Sequence, residues 1–299
     1  LFDYNGKFVN RLSYLGNGPR EYLNINHVFK VTNSIIAIQD RMKDVVLYFD
    51  DKGTFLYQTK GLQYGCDIEC IGCNRIAVDV RSVGGINNPK TEDYAFVVSD
   101  SLYQKVYAVG TDTYSEKLNY GATKRLFRYN DIVYGIPNFE NYVYQFDSEG
   151  VCVKYVLDII SDDVSDFRYS TREELKQLEQ RYPFFKGHFY EFDNYSCFVI
   201  KSASFNAYIL YNHQTKDVYL LDSEYANPLI TFFWNPYMVD AGNAFVTSSL
   251  PATLLSYKEQ FYDGASVEIR KDLDLLYNDM KVDDNPVLFF YHLKDKIAE

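Results

Sequence analysis

The segment Tyr48-Phe49-Asp50-Asp51-Lys52-Gly53-Thr54-Phe55 has the pattern of a strand, a tight turn at glycine and a second strand. The pattern recurs as LFDYNGKF at 1–8 and as QFDSEGVC at 145–152, with degenerate copies at 98–102 and 211–216. Each copy predicts a β-hairpin, because glycine permits the turn and apolar or aromatic residues flank it. The chain is therefore built on an internal repeat.

The residue at each turn defines the period of this repeat. Asp3, Asp50, Asp100 and Asp147 follow one another at intervals of 47, 50 and 47 residues, and Asn212 follows after 65. We interpret these aspartates as turn residues that cap local backbone donors. A second strand pair precedes each hairpin, as at 27–32 with 35–40 and at 124–129 with 132–136. Four short antiparallel strands at a period in the forties are typical of a β-propeller blade.

Two helical insertions account for the irregular spacing. A helix is predicted at 170–180, within an insertion of about 159–187, because acidic residues fill its first turn and Pro183 ends it. A second insertion, about 250–286, has helical periodicity around Val267, Leu273 and Met280. We therefore predict an all-β, six-bladed propeller forming one domain over 1–299, with a half-blade at 1–15 whose inner strands are missing. The other blades lie at 27–60, 67–109, 124–157, 188–221 and 230–293.

Composition excludes some classes of function. The 299 residues carry 30 Lys plus Arg against 41 Asp plus Glu, a net charge of −11, which disfavours nucleic acid as a partner. The 29 tyrosines and 22 phenylalanines suit pleated sheets. There is no apolar run of 18 residues, so we expect no transmembrane segment. The N-terminus has no signal-peptide pattern and looks processed, trimmed or incomplete.

The sequence predicts no metal or other cofactor. Cys66, Cys70 and Cys73 form a cluster that lacks the second Cys or His pair of a structural zinc site, so we interpret them as buried thiols. The acidic run 161–166 lacks the glycine and terminal glutamate of an EF-hand loop. A solvated loop is the better interpretation of that run.

Both ends of the chain resemble one family. The segments LGNGPREY at 15–22, IAIQD at 36–40 and YFDDKG at 48–53, with DDNPVLFFYHLK at 283–294, resemble six-bladed β-propeller proteins of Bacteroides-type bacteria, which are similar to NHL-repeat propellers. Arg20 stands where that family usually has glycine. The resemblance implies an exported protein, commonly a lipoprotein, in the periplasm or on the outer membrane. Most members have no assigned activity.

Long segments are expected at one end of the blades. The connectors 15–26, 110–123 and 158–187 and the loops 82–93 and 249–286 would all emerge there, and long loops on a rigid scaffold commonly carry function. Polar residues at the mouths of the inner strands would form a positive funnel for an anionic sugar, a peptide carboxylate or a phosphate. Alternatively, they are solvated charges or partners of nearby acids. The predicted ligand-binding residues are Arg41, Arg81, Arg125, Asn138, His188 and Lys201, with Lys124 beside Arg125.

Three functions fit these features. No serine-hydrolase elbow, zinc-protease helix, phosphate loop, dinucleotide fingerprint or sialidase-type Asp-box is present. We therefore predict a non-catalytic, exported propeller that binds a carbohydrate, a peptide or a protein partner on its long-loop face. One alternative is a carbohydrate-active or metal-dependent hydrolase or lyase with its site at the mouth of the central channel. Another is a structural subunit that docks a partner through the helix at 266–281.

Overall fold

The computed structural model divides the chain into two compact units, Leu1–His188 and Phe189–Glu299. The structure is described below for residues 1, 7–60, 67–72, 75–80, 94–100, 105–111, 125–137, 141–158, 173, 174, 177, 180, 184–201, 206–221, 244–263 and 265–292. Within these ranges the chain is mainly β-strand, as its aromatic-rich composition predicted.

Three four-stranded sheets form most of the first unit, and in each the strands pair with their neighbours in chain order. All of these pairs are antiparallel. The first sheet contains β1 (His27–Thr32), β2 (Ile35–Asp40), β3 (Val45–Asp50) and β4 (Phe55–Lys60). The second contains β5 (Asp67–Cys70), β6 (Arg75–Asp79), β7 (Tyr94–Asp100) and β8 (Lys105–Thr111). The third contains β9 (Leu126–Tyr129), β10 (Ile132–Gly135), β11 (Tyr142–Phe146) and β12 (Val151–Val156).

The three sheets stack face to face as successive propeller blades do. Strand β5 lies against β1 on one side and against β9 on the other, so the first strands of the sheets are neighbours. One apolar cluster joins the first and second sheets, with Phe29 and Val46 packed against Val78. Another joins the second and third sheets, with Phe96 meeting Phe146 edge to face. This packing buries most of β2, β5, β6 and β10, whereas β4 and β12 are largely exposed.

Two of the hairpin turns confirm the capping role expected of their aspartates, Asp50 and Asp147. Asp50 Oδ1 accepts hydrogen bonds from the backbone N–H groups of Lys52 and Thr54. Asp147 Oδ1 accepts from the N–H groups of Glu149 and Gly150 in the third sheet. Each carboxylate thereby satisfies donors that the turn would otherwise leave unpaired. Both carboxylates therefore hold their hairpin turns in shape.

The N-terminal segment packs against the first sheet. The backbone N–H of Val9 donates to the carbonyl of Leu1 at 2.9 Å, which matches the hairpin predicted at 1–8, although residues 2–6 lie outside the described ranges. Leu12 and Tyr14 extend the apolar cluster around Phe49. The segment therefore covers the turn end of β3 and β4.

The second unit contains one more four-stranded sheet and a two-stranded sheet. The four-stranded sheet is formed by β13 (Phe184–Glu191, which spans the division between the units), β14 (Tyr195–Lys201), β15 (Asn206–Asn212) and β16 (Val218–Leu221). The pair β17 (Ala244–Ser249) and β18 (Val287–His292) is antiparallel. Asn212 caps the turn after β15 by accepting from the N–H groups of Gln214 and Thr215, as Asp50 and Asp147 do in their sheets.

Helices occupy the insertion between β17 and β18, as predicted for 250–286. They are α1 (Pro251–Ser256), α2 (Lys258–Tyr262) and α3 (Val267–Tyr277). Ser266 caps α3 by accepting a hydrogen bond from the N–H of Ile269. The helices enclose a small apolar core around Leu254, Phe261 and Leu273.

Only part of the first predicted helix falls within the described ranges. Glu173, Glu174, Gln177 and Gln180 are helical, which agrees with the prediction for 170–180, while Pro183 lies outside. In the described part of the chain, no helix combines the length and apolar character needed to cross a membrane.

Candidate functional site

A pocket of about 400 Å³ opens at the end of the three sheets where the turns are shortest. We call this the short-turn end. The turns between the first two strands of each sheet supply most of its wall, and the hairpin after β11 supplies the rest. The residues that line it are Lys30, Val31, Thr32, Asn33, Ile71, Gly72, Arg128, Asp131, Ile132, Asp147 and Ser148.

Arg128 is a partly buried cation at this pocket. It lies on β9, and its side chain is only 18% exposed. Glu69 on the neighbouring β5 approaches it, with Oε2 3.6 Å from Arg128 Nε, and Glu69 is itself 7% exposed. This distance permits charge attraction but exceeds a normal hydrogen bond. Arg128 Nε is buried and makes no hydrogen bond within the described ranges.

Two aspartates of the third sheet also line this pocket. Asp147 Oδ2 accepts a hydrogen bond from Gln145 Nε2 at 2.9 Å. This bond, with those from two backbone N–H groups of the turn, lowers the pKa of Asp147 below its ordinary value of 3.8. Asp131, in the turn between β9 and β10, is exposed and also lines the pocket. The pocket thus combines cationic side chains and carboxylates in a space large enough for a small ligand.

A second group of charges lies at the opposite end of the same strands, which we call the long-loop end. Here Arg125 Nε donates to Asp79 Oδ2 at 3.0 Å, and its Nη2 bonds the other carboxylate oxygen. Neither side chain has any solvent exposure. Asp67 lies close by on β5, where its Oδ2 accepts from the backbone N–H of Leu126 and its Oδ1 lies 3.0 Å from His27 Nε2.

These inner-strand residues occupy equivalent places in three sheets. His27 pairs with Gln39 and Asp67 pairs with Asp79, while the carbonyl of Arg125 accepts from the N–H of Ile136. His27, Asp67 and Arg125 therefore lie at the same level of three successive sheets. Each of these side chains contacts a residue of a neighbouring sheet. The arrangement ties neighbouring sheets together.

The structure locates some of the six predicted ligand-binding residues. Arg41 follows β2 at the long-loop end, half-buried, with its backbone N–H donating to Asn26 Oδ1. Arg125 is at the same end of the third sheet, but its guanidinium is buried against Asp79 rather than exposed at a mouth. His188 and Lys201 lie on β13 and β14, and their side chains are outside the described ranges, as are Arg81, Asn138 and Lys124 altogether. Ligand binding by these residues stays a prediction.

Sequence reasoning missed the pocket residues. Lys30 and Arg128 lie on inner strands near their turns, and Asp131 lies in such a turn. No motif joins them, because each sheet contributes only a few residues. Charged residues recur near the short turns of these sheets, and this recurrence is the signal in the sequence that indicates the pocket.

A serine, a histidine and a glutamate meet in the second unit. Ser196 Oγ lies 2.6 Å from Glu191 Oε2 and 2.8 Å from His213 Nε2, and His213 Nδ1 lies 3.1 Å from the carbonyl of Asp193. In a hydrolytic triad the imidazole stands between the acid and the serine, whereas here the hydroxyl stands between the other two. Ser196 is also fully buried. The trio acts as a structural network that joins β13 and β14 to the turn after β15.

The cysteines within the described ranges are free thiols. Cys70 and Cys197 are buried, as the buried-thiol interpretation expected for Cys70, and Cys152 is exposed. Burial raises the pKa of Cys197 far above its ordinary value. Cys66 and Cys73 lie outside the described ranges. In the part of the chain that the structure describes, no three His, Cys, Asp or Glu side chains are grouped as a metal site would require.

The helix at 267–277 presents apolar residues to solvent. Leu273 and Tyr277 face the insertion core, whereas Val267 and Leu275 are 75% and 77% exposed. Neither of these two side chains belongs to the apolar core of the insertion. Docking of a partner through this helix, the structural-subunit alternative, stays a prediction.

Comparison with known proteins gives a family and a fold. The family model described as "Domain of unknown function (DUF4934)" matches residues 1–292. A "putative exported protein" from Bacteroides fragilis is similar in structure, with a TM-score of 0.75 at 17% identity over 98% of this chain and 84% of that one. A member of the DUF4221 family from Bacteroides vulgatus has a TM-score of 0.51 at 8% identity, over 83% and 79% of the two chains. Curated proteins give no sequence match.

Proposed function

The chain belongs to the DUF4934 family, and from its pocket we propose that it is an exported, non-catalytic, six-bladed β-propeller that binds a small polar ligand. The four four-stranded sheets would be four blades, the β17–β18 sheet would belong to a fifth, and the N-terminal segment would contribute to a sixth. The description of the Bacteroides fragilis neighbour supports export. We infer a location in the periplasm or on the outer membrane.

The pocket at the short-turn end is the observation that carries this proposal. Three rigid sheets build its wall, so its shape is fixed before a ligand arrives, which limits the entropy lost on binding. It offers charged and polar side chains at fixed positions, as ligand sites do. We propose a peptide or a carbohydrate as the ligand class.

Binding fits the described charges better than catalysis does. The hydrolase alternative predicts a carboxylate pair or a metal cluster lining the central channel. Asp67 and Asp79 are buried, and each is engaged in hydrogen bonds with an adjacent strand. Their placement favours a role in joining the sheets. A protein partner docked on Val267 and Leu275 is a second candidate function, favoured by the exposure of these side chains.

There are two candidate binding sites, one at each end of the sheets. Arg41, with Arg81, Asn138, His188 and Lys201, defines the long-loop proposal, and Arg128 with Asp147 defines the short-turn proposal. A variant that blocks one end should leave the other intact. Ser148 is exposed at the pocket rim, and Glu149 next to it is exposed but does not line the pocket.

The test is a binding screen with the intact chain. Pools of short peptides and of oligosaccharides are added to isotope-labelled protein, and backbone amide shifts identify pools that bind. Ser148→Trp should abolish the response by filling the pocket, whereas Glu149→Trp and Arg41→Gln should retain it. Loss of binding in Arg41→Gln with retention in Ser148→Trp would move the site to the long-loop end, and no response to any pool would reject small-ligand binding.

A further inference from the structure

We propose that the pocket at the short-turn end selects a zwitterionic ligand, a short peptide with a free carboxylate and a free ammonium group. This inference rests on the proposed function and specifies its ligand. Arg128, assisted by Lys30, would bind the carboxylate. Asp131 and Asp147 would receive the ammonium group.

The charge pattern of the pocket is the first reason. Two cationic and two anionic side chains line it, so it is balanced within a chain whose net charge is −11. A purely anionic ligand would meet the carboxylates, and a purely cationic ligand would meet the arginine and lysine. A ligand with one charge of each sign satisfies both groups, and complementary charges give specificity.

The partly exposed side chain of Arg128 is the second reason. Its Nε is closed to solvent and makes no hydrogen bond in the described part of the chain, so a ligand reaches this side chain through the 18% that is exposed. A carboxylate is the preferred acceptor for a guanidinium, because its two oxygens match the planar fork of donors. Glu69 holds the guanidinium in place and is a positioning residue.

The composition of the wall is the third reason. None of the residues that line the pocket within the described ranges is aromatic. A sugar ring binds well when its apolar face lies on an aromatic ring, and this surface offers none. Short aliphatic side chains such as Val31, Ile71 and Ile132 instead provide an apolar surface of the size that a peptide side chain covers.

The test compares tripeptide libraries that differ only at their ends. A random library with free termini is incubated with the protein, and retained peptides are identified by mass spectrometry after gel filtration. Matched libraries with an amidated C-terminus or an acetylated N-terminus are run in parallel, with a neutral oligosaccharide library. We expect retention of the free library and at least about a tenfold loss for either blocked library, because each removes one charge pairing.

Variants locate the effect. Arg128→Gln should reduce retention about tenfold or more, and the exposed Lys154→Gln on β12 of the same sheet is the matched control. Because Arg128→Gln removes a cation beside the Glu69 carboxylate, the double variant Arg128→Gln with Glu69→Gln removes both charges and should also lose binding. Arg128→Lys, which keeps the charge without the fork, should bind weakly.

The outcomes distinguish the zwitterion inference from the proposal that the pocket binds a small ligand. Equal retention of free and amidated peptides, or full retention by the folded double variant, would overturn the zwitterion inference. Retention of oligosaccharides alone, abolished by Ser148→Trp, would overturn it while leaving ligand binding by the pocket intact. Retention of no library would overturn both.

Discussion

Arg125 and Asp79 form an ion pair in which neither side chain is exposed to solvent, although 46 residues separate them in sequence. Asp79 ends β6 in the second sheet, and Arg125 precedes β9 in the third. The guanidinium also lies 5.4 Å from the centre of the Phe96 ring. The pair therefore connects two sheets through charge, hydrogen bonds and ring contact.

Removing one member of this pair should be strongly destabilising. Arg125→Met removes the cation that pairs with the buried Asp79 carboxylate, and a broken buried pair typically costs about 3–5 kcal/mol. We expect the urea midpoint of unfolding to fall accordingly. The matched double variant Arg125→Met with Asp79→Val removes both charges and should recover most of the lost stability. If the double variant were as unstable as the single one, packing around Arg125 rather than charge pairing would explain the loss.

The pairing of Arg125 shows where sequence reasoning stops. Charged residues are rarely buried, so an arginine at the start of an inner strand was expected to face a ligand or solvent. Its burial depends on which strand lies beside it, and that is set by the packing of separate sheets. By contrast, the strands at 27–32 and 35–40 were predicted with their observed bounds, because local alternation and turn residues determine them.

Gly135 illustrates the same limit within a strand. A Cβ at this position would lie 2.6 Å from Phe146 Cε2 and 3.1 Å from Phe96 Cε2. The sequence shows a glycine in a strand but not the two rings that require it. The pocket was missed for a related reason, since its charged residues come from turns of separate sheets. Turn aspartates such as Asp50 and Asp147 were predictable because their partners lie within four residues.

Ser196 should contribute to the stability of the second unit. Its hydroxyl lies within hydrogen-bond distance of both Glu191 and His213. His213 Nδ1 carries a hydrogen and donates it to the Asp193 carbonyl, because a carbonyl oxygen can only accept. Ser196→Ala would leave a buried carboxylate oxygen without this partner, at a cost of about 1–3 kcal/mol. Denaturant unfolding of the variant measures this, with the exposed Gln214→Ala as the control. A variant as stable as the parent chain would show that other partners satisfy Glu191.

The insertion core should weaken at alkaline pH through Tyr277. Its hydroxyl donates to the carbonyl of Leu254 at 2.8 Å, and burial, followed by the nearby Tyr262, raises its pKa from 10.0 to about 12. Because the folded-state pKa is the higher one, the stabilisation is complete below pH 10 and is lost as pH rises through about 12. At neutral pH, Tyr277→Phe should lose about 1 kcal/mol with the hydrogen bond.

The difference between the parent chain and Tyr277→Phe isolates this effect, because all other tyrosines titrate in both proteins. Urea midpoints measured at neutral pH and at several values above pH 10 should converge as pH rises. The exposed Tyr257→Phe is the matched control and should show no such convergence, since it removes a hydroxyl outside the core. A difference that stayed constant across this range would mean that Tyr277 ionises at the same pH in the folded and unfolded chains. The Leu254 hydrogen bond would then act on stability without any link to proton release.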